Sequence, residues 1–311
     1  MIIITGQTAT GKTALALEYA KKYKGELVNF DSRQIYKYLD IITGKDLPAK
    51  TGVSSEGLPT GRRRFFQPAA GRRAQSGLRS KQDPFSVWLY DIVTPDQYFS
   101  SFEYVKIAQK VIKDIKLRGK TPILVGGTYF YLKHLLYGFD YQVPPDFILR
   151  EKLNQKSVAE LQKIIQELDP EIKQKMNQSD WQNPRRLIRK IEILKNQGQN
   201  LSGSVLLKTV PDLFIGLKHK NKEHLYQAIK TRVEKRLKQG AIKEVEKILK
   251  MGYKKTDPGL NTIGYKQIID YLEGNITKDQ AIEKWITAEV QYAKRQYTFM
   301  KKDKNIKWIE I

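Results

Sequence analysis

The sequence contains no cysteine, and this absence removes several kinds of chemistry at once. Disulfide bonds, a thiolate nucleophile and a cysteine-ligated zinc ion are all excluded, and a chain without thiols is compatible with a reducing compartment. Histidine is scarce as well. His134, His219 and His224 do not show the spacing of a metal site, so we expect them to be structural.

Long apolar runs are also missing from the chain. No stretch approaches the roughly 20 apolar residues that cross a bilayer. The sequence opens on MIIIT, which we interpret as a strand, so we expect neither a signal peptide nor a transit peptide. These features predict a cytoplasmic protein without a membrane partner, and we expect it to be a monomer.

Acidic residues are few compared with basic ones. The chain carries 56 lysines and arginines against 33 aspartates and glutamates, which gives a net charge of +23. A field of this sign attracts polyanions, with nucleic acid as the leading candidate partner and an acidic membrane surface as the second. A general preference for lysine on the surface is the alternative interpretation.

The segment from Pro48 to Pro84 differs from the rest of the chain in composition. It is rich in Gly, Pro, Ser and Arg and has almost no apolar periodicity, so we predict a largely disordered insertion. An arginine-rich arm that folds on RNA is the alternative. Because the segment contributes only +6 of the net charge, the basic character belongs to the folded body.

Strand patterns alternate with helix patterns in the first part of the chain. This alternation predicts an α/β fold with a parallel sheet, whose ligand lies at the carboxyl ends of the strands. The predicted strands are Met1–Thr5, Leu27–Phe30, Val87–Tyr90, Pro122–Val125 and Leu213–Leu217. The predicted helices are Lys12–Lys22, one that starts with a capping box at Ser100–Glu103 and ends at Arg118, and one from Thr128 to about Tyr137.

The rest of the chain is predicted to be mostly helical. From Phe147 to about Leu207 the strand signal vanishes, which indicates a small all-helical domain inserted into the core. Further helices are expected over Lys222–Met251, Gly264–Leu272 and Lys278–Met300. We therefore divide the chain into an α/β core over 1–140 with the 48–84 insertion, a helical domain over 141–207, and the remaining core and C-terminal helices over 208–311.

A phosphate-binding motif follows the first predicted strand. Residues 6–13 read GQTATGKT, a complete GxxxxGK[ST] that opens a helix, as a P-loop NTPase-like core requires. Its backbone N–H groups and the helix N-terminus would hold an anion, Lys12 would reach the phosphates, and Thr13 could bind Mg²⁺. The predicted phosphate site comprises Gly6, Gln7, Thr8, Ala9, Thr10, Gly11, Lys12 and Thr13. The motif indicates phosphates, and by itself it does not indicate a nucleotide.

Two further strand ends carry candidate site residues. Asp31 ends a strand and is followed by Ser32-Arg33-Gln34, which suits a polar substrate better than a bare metal ion. A role in capping the following helix is the alternative for Asp31. Gly126-Gly127-Thr128 ends another buried strand, where two glycines allow close approach of a ligand, although an ordinary tight turn fits equally well.

A cationic helix face is predicted after Asn183-Pro184, a helix start. Helical spacing places four cations on one face, which suits phosphates or stacked bases, and a solvated surface is the alternative. These cations are Arg185, Arg186, Arg189 and Lys190. The segment 294–301 also mixes cations with aromatic residues, a combination that suits RNA and any amphipathic helix.

Taken together and in this order, these motifs resemble the tRNA dimethylallyltransferases, also called tRNA isopentenyltransferases. The matching pieces are GQTATGKT at 6–13, DSRQIYKYLDIITGK at 31–45, GKTPILVGGT at 119–128, NPRRLIRKIEILK at 183–195, NTIGYKQIIDYLEG at 261–274 and AKRQYTFMKK at 293–302. The resemblance spans nearly the whole chain. It implies transfer of a dimethylallyl group from dimethylallyl diphosphate to the exocyclic amine of the adenosine immediately 3′ of the anticodon of tRNA, with release of diphosphate.

The resemblance also implies roles for residues at matching positions. The P-loop would bind the prenyl diphosphate with Mg²⁺, Asp31 would be the base on the adenine amine, Thr128 would contact substrate and Arg232 would lie at the diphosphate. The positions implied to face tRNA are Asp31, Ser32, Arg33, Gln34, Arg150, Arg185, Arg186, Leu187, Ile188, Arg189, Asn261, Thr262, Ile263, Gly264, Tyr265, Lys266, Lys294, Arg295, Gln296, Tyr297, Thr298, Phe299, Met300 and Lys301.

The sequence departs from the family pattern in three places. Gln7 stands where proline is usual, Trp88-Leu89-Tyr90-Asp91 replaces a His-Leu-Ile-Asp-like segment, and the 48–84 insertion is unusually long. Three alternative functions stay open at this point. They are a small-molecule or nucleotide kinase, a free-adenylate isopentenyltransferase and a non-catalytic RNA-binding protein.

Overall fold

The computed structural model describes residues 1–46, 52–53, 86–139, 143, 145–196 and 210–311. The chain forms two compact units, one made of Met1–Leu136 with Thr209–Ile311 and one made of Tyr137–Lys208. The helical domain predicted over 141–207 falls within the second unit. Apart from Gly52–Val53, the predicted 48–84 insertion lies outside the described residues.

In the described part of the chain, seven strands form one sheet in the order β3-β4-β2-β5-β1-β6-β7. Each neighbouring pair is parallel, so the predicted α/β fold with a parallel sheet is confirmed. The strands are β1 (Ile2–Gly6), β2 (Gly25–Asn29), β3 (Gly52–Val53), β4 (Ser86–Trp88), β5 (Thr121–Val125), β6 (Leu213–Lys218) and β7 (Lys307–Glu310). Sequence analysis did not predict β3 or β7.

The described helices are α1 (Lys12–Lys22), α2 (Ser101–Leu117), α3 (Tyr129–Tyr137), α4 (Phe147–Asn154), α5 (Val158–Leu168), α6 (Ile172–Lys175), α7 (Gln178–Trp181), α8 (Pro184–Lys195), α9 (Lys222–Lys238), α10 (Ala241–Lys250), α11 (Tyr265–Leu272) and α12 (Lys278–Met300). The predicted capping box of α2 is confirmed, because Ser100 Oγ accepts from the Glu103 N–H and the Glu103 carboxylate accepts from the Ser100 N–H.

No helix in the described ranges is both long enough and apolar enough to span a bilayer.

The prediction of a single helix over 222–251 is wrong. The segment forms two helices, α9 and α10, separated by Gln239-Gly240. Gly240 has a φ of 99°, a left-handed conformation that glycine adopts without steric cost. The chain therefore turns there instead of continuing the helix.

The core of the larger unit lies around the central strands. All five residues of β1 and of β2 are buried, as expected when helices cover both faces of a parallel sheet. The apolar side chains of β1, β2 and β5 pack with Ala16 and Ala20 of α1. This packing fixes the start of α1 next to the carboxyl end of β1, where the phosphate-binding motif lies.

The second unit has its own core of helix side chains. Leu161 and Ile165 of α5 pack with Leu187 and Ile191 of α8, and Trp181 lies in the same cluster. Inside this unit, the carboxylate of Glu192 is fully buried and accepts hydrogen bonds from Arg150, Arg189 and the Asp146 N–H. The unit therefore combines an apolar core with one buried ionic cluster.

Candidate active site

Three chain segments meet at the carboxyl ends of β1, β2 and β5, as the sequence predicted. They are the glycine loop after β1, the segment that begins at Asp31, and the turn at Gly126. A cavity of about 680 Å³ lies among them and extends to α9 and α12. The residues that line it include Thr8, Lys12, Thr13, Asp31, Arg33, Gln34, Gly44, Arg232, Arg236 and Tyr292.

The glycine loop is fitted against the neighbouring strand β6. Gly6 has a φ of 139°, and a Cβ built there would lie 2.1 Å from the main-chain oxygen of Leu217. The next residue, Gln7, donates its N–H to the same oxygen at 3.0 Å. Only glycine fits at position 6, because any side chain would collide with backbone.

The loop also leaves donors for an anion. Gly11 is the N-cap of α1, with a φ of 75°, and has no side chain that could accept from the first turn. The first N–H groups of α1 are therefore available to an anion, which the positive end of the helix dipole attracts. The hydroxyl-bearing Thr13 lies in this first turn and lines the cavity.

Lys12 adds a cation to the loop. Its Nζ donates to the main-chain oxygen of Gln7 at 2.6 Å. Loss of solvent lowers the pKa of Lys12 to about 8, with Asp31 opposing this shift and Arg232 adding to it. At this pKa, most Lys12 side chains carry a charge at neutral pH.

Gln7, which replaces the usual proline, connects the loop to two other elements. Its Oε1 accepts from the His219 N–H at 2.9 Å, and its Nε2 donates to the main-chain oxygen of Ala293 at 3.3 Å. The imidazole Nε2 of His219 lies 3.0 Å from the main-chain oxygen of Thr8. Because burial lowers the pKa of His219, a neutral ring that donates to Thr8 fits this contact. His219 is thus structural, as the sequence predicted.

Asp31 both closes a turn and lines the cavity. Its Oδ1 accepts from the Arg33 N–H at 2.9 Å, and its own N–H donates to Asn29 Oδ1 at 2.9 Å. Residues 32–35 form a turn and not a helix. Asp31 therefore caps a turn, whereas the alternative interpretation of the sequence had it capping a helix. The second oxygen, Oδ2, lies near the Gly127 backbone, 3.4 Å from a Cβ built there.

Thr128 is linked directly to the segment after Asp31. Its Oγ1 accepts from the Ser32 N–H at 2.9 Å and lies 3.1 Å from Ser32 Oγ. A Cβ at Gly126 would meet the Phe30 backbone at 2.7 Å, and one at Gly127 would meet Gln296 Nε2 at 2.4 Å. A side chain at Gly126 would therefore collide with backbone, and this glycine also lines the cavity.

Arg33 and Gln34 also turn toward the cavity. The Arg33 guanidinium forms an ion pair with Glu289 at 3.0 Å and stacks on the ring of Tyr292, 3.9 Å from its centroid. Gln34 donates from Nε2 to the main-chain oxygens of Thr43 and Gly44, at 3.3 and 2.8 Å. Both side chains are thus committed to internal contacts at the cavity wall.

Two arginines of α9 form the opposite wall. Arg232 donates to the Thr43 main-chain oxygen at 3.2 Å, and burial lowers its pKa. Arg236 pairs with Asp46. Gly44, with a φ of 76°, packs on both guanidinium groups, since a Cβ there would lie 2.7 Å from Arg232 and 2.6 Å from Arg236.

The segment 294–301 of α12 and its C-cap divides between the surface and the site. Gln296 is buried, accepts from the Thr8 N–H at 3.0 Å and from its hydroxyl at 3.2 Å, and donates to the Gly127 oxygen at 2.9 Å. Met300 is also buried and accepts from the Thr5 hydroxyl. Tyr297 is half-buried against Trp308. The exposed residues of the segment are Lys294, Arg295, Thr298, Phe299 and Lys301.

The segment 261–266 divides in the same way. Asn261 and Lys266 are exposed, and Thr262 and Ile263 are half-buried. Gly264 lies against Ile42 and Trp285, within 2.4 and 2.8 Å of a Cβ built there. Tyr265 is fully buried and donates to Glu244 Oε1 at 2.6 Å.

In the helical unit, the predicted tRNA-facing positions again fall into two groups. Arg185 and Arg186 are exposed, whereas the side chains of Leu187 and Ile188 pack into the core. Arg150 and Arg189 both pair with Glu192, at 2.7 and 3.0 Å. Burial alone would raise the pKa of Glu192, but these two arginines hold it below its usual value. The four-cation face is thus partly neutralised within the protein.

Sequence reasoning missed Glu289, Tyr292, Arg236 and the inward role of Gln296. A signal existed for Glu289 and Gln296. Both lie on the buried stripe of α12 with Trp285 and Ala293. A charged or amide side chain at a core-facing position requires a partner inside the protein.

The profile of the family described as IPP transferase matches residues 79–303. A tRNA dimethylallyltransferase of Caldanaerobacter subterraneus subsp. tengcongensis is 36% identical over the whole of this chain and 91% of its own length.

Two solved structures are similar over almost the whole fold. The tRNA delta(2)-isopentenylpyrophosphate transferase of Staphylococcus epidermidis is 31% identical with a TM-score of 0.64, over 99% of this chain and 92% of that one. The full-length tRNA isopentenylpyrophosphate transferase of Bacillus halodurans is 28% identical with a TM-score of 0.65, over 99% and 89%.

Proposed function

Because this chain belongs to the IPP transferase family, we propose that it transfers a dimethylallyl group from dimethylallyl diphosphate to tRNA. The acceptor is the exocyclic amine of the adenosine immediately 3′ of the anticodon, and diphosphate is released. One observation carries the proposal. A phosphate-binding loop, a carboxylate at Asp31 and the guanidinium of Arg232 line the same cavity.

The diphosphate end of the donor fits the cationic part of this cavity. The free N–H groups at the start of α1 and the Lys12 ammonium offer donors to the phosphate oxygens. Arg232 adds a second charge from α9. As the carbon–oxygen bond breaks, negative charge grows on the departing diphosphate, and fixed cations stabilise that charge.

Asp31 supplies the proton acceptor. The adenine amine is a poor nucleophile because its lone pair is delocalised into the ring. A new bond forms between this nitrogen and the dimethylallyl carbon, and the nitrogen loses a proton to the Asp31 carboxylate. With Oδ1 accepting from the Arg33 N–H, the orientation of the carboxylate is fixed before substrate binds.

The same edge of the cavity offers oxygen ligands for Mg²⁺. Thr13 lines the cavity, and its hydroxyl oxygen is the kind of ligand that Mg²⁺ prefers. The described residues contain no cluster of three or more His, Cys, Asp or Glu side chains for a metal. Thr13 and substrate phosphate oxygens would hold a Mg²⁺ ion, which would neutralise part of the charge of the diphosphate.

The basic surface supports tRNA as the acceptor. The exposed cations Arg185 and Arg186 lie on the helical unit, and Lys294 and Arg295 lie on the larger unit. Such side chains suit contacts with backbone phosphates. The adenine must leave its base stack to reach a cavity site, as in other enzymes that act on a base.

Transfer of radiolabel from dimethylallyl diphosphate to tRNA tests the proposal. We expect label in tRNA with an adenosine 3′ of the anticodon and none in a matched tRNA with guanosine at that position. Label in free adenylate with none in tRNA would contradict the choice of acceptor. Consumption of ATP without label transfer would indicate a kinase instead.

A further inference from the structure

Glu289 of α12 is a buried carboxylate beside the cationic cavity. The residue is 3% exposed. Its Oε1 accepts from Arg33 at 3.0 Å, but its Oε2 accepts no hydrogen bond from any residue that the structure describes. A buried carboxylate oxygen without a donor costs free energy, so its presence at this place requires a physical explanation.

The reason lies in the charges around it. The negative charge of Glu289 favours the charged forms of Lys12, Arg33 and Arg232. These three cations come from separate parts of the chain, which are the start of α1, the turn after β2, and α9. Glu289 is therefore a shared counter-charge for cations that would otherwise repel one another.

A trianionic diphosphate would compete with this counter-charge for the same cations. Cations that stabilise the departing diphosphate in the transition state also bind the diphosphate product. Binding that is equally strong in the transition state and in the product complex does not speed turnover. A fixed negative charge among these cations opposes retention of the product.

We propose that Glu289 weakens the binding of diphosphate and thereby eases its release from the cavity. The inference rests on the proposed function, since it takes diphosphate as the product. Glu289 acts through the cations and does not contact the reacting atoms, so it is a positioning residue. A purely structural brace for Arg33 would behave in the opposite way, because its removal would disorder the site and weaken diphosphate binding.

The test is the affinity of the whole protein for inorganic diphosphate, measured by calorimetry. Glu289→Gln keeps the shape and the carbonyl oxygen that accepts from Arg33, and it removes the charge. We expect its Kd to fall by about tenfold, the scale of one charge in partly screened surroundings. Glu283→Gln makes the same charge change at an exposed position of α12 and should leave the Kd unchanged.

An unchanged or higher Kd in Glu289→Gln would overturn the inference. A wild-type protein that does not bind diphosphate would instead contradict the proposed function, so the two failures are distinguishable. If Glu289→Gln does not fold, Arg33→Gln is compared with the double variant Arg33→Gln/Glu289→Gln. The double variant neutralises both members of the ion pair, so no buried charge is left without its partner. Tighter binding in the double variant supports the inference, and equal or weaker binding overturns it.

Discussion

The lowered pKa of Lys12 predicts that use of the prenyl diphosphate depends on pH. Loss of solvent around Nζ places this pKa at about 8. In the proposed function the charged form of Lys12 binds diphosphate, so this contribution is present below this pH and is lost as the pH rises above it. About nine tenths of the side chains are charged at about pH 7, and about one tenth at about pH 9.

We therefore expect kcat/KM for dimethylallyl diphosphate to fall by about tenfold between pH 7 and pH 9, since this parameter reports the ionisation of the free enzyme. The assay is initial-rate transfer of label to saturating tRNA across this range. Lys12→Arg is the control variant. A guanidinium stays charged throughout, so its profile should be flat whatever its absolute rate.

A wild-type profile that is as flat as that of Lys12→Arg would refute this reasoning. So would an equal fall in both proteins, because the titrating group would then be another one. The first result would mean that Lys12 stays charged to higher pH than its surroundings imply. The second would point to a different base among the cavity residues.

Three more expectations follow from the structure. Asp31→Asn should slow the single-turnover chemical step by about 10²–10⁴-fold with little change in substrate binding, and rescue by added Mg²⁺ would show that Asp31 is a metal ligand instead. Glu26→Gln should destabilise the fold by about 2 kcal/mol at neutral pH, because it weakens the charged hydrogen bonds that the buried Glu26 accepts from the exposed Arg118 and Lys120. Burial opposes ionisation of Glu26, yet these partners lower its pKa from 4.5 to about 2. The stability that the ionised Glu26 contributes is therefore complete above pH 4.5 and is lost as the pH falls toward 2. Urea unfolding of both proteins at several pH values measures this, and a difference in stability that is the same at all pH values would contradict it. Arg185→Ala should weaken tRNA binding and reduce the slope of log affinity against log salt by about 1, whereas an unchanged slope would exclude a phosphate contact.

The sheet was predictable where local signals are strong. The apolar run of β1 and the following GQTATGKT motif specify both a buried strand and the start of α1. The capping box at Ser100 specified the start of α2. The strands β3 and β7 escaped prediction because β3 has two residues and β7 is an edge strand with three exposed positions.

The candidate site was predictable only in part. Its loop and Asp31 follow from position in the motif and at a strand end. Glu289 was not found as a site residue, and Gln296 was expected to face tRNA and not the phosphate-binding loop. Periodicity shows that a residue faces inward and does not show which residues it contacts there. The partner of Gln296 is Thr8, which is 288 positions away in sequence. Tertiary packing alone brings such residues together.

The contacts of the phosphate-binding loop also determine when it can form during synthesis. Translation proceeds from the N-terminus, so the loop is made before Leu217 of β6, against which it packs, and before Ala293 and Gln296 of α12, which anchor it. Domains generally fold in the order in which they emerge, but contacts this distant in sequence must wait until α12 has emerged. A nascent chain or a truncated product that ends before α12 contains the whole motif and lacks the anchors that hold it. The loop therefore reaches its anchored form only after α12 has been synthesised.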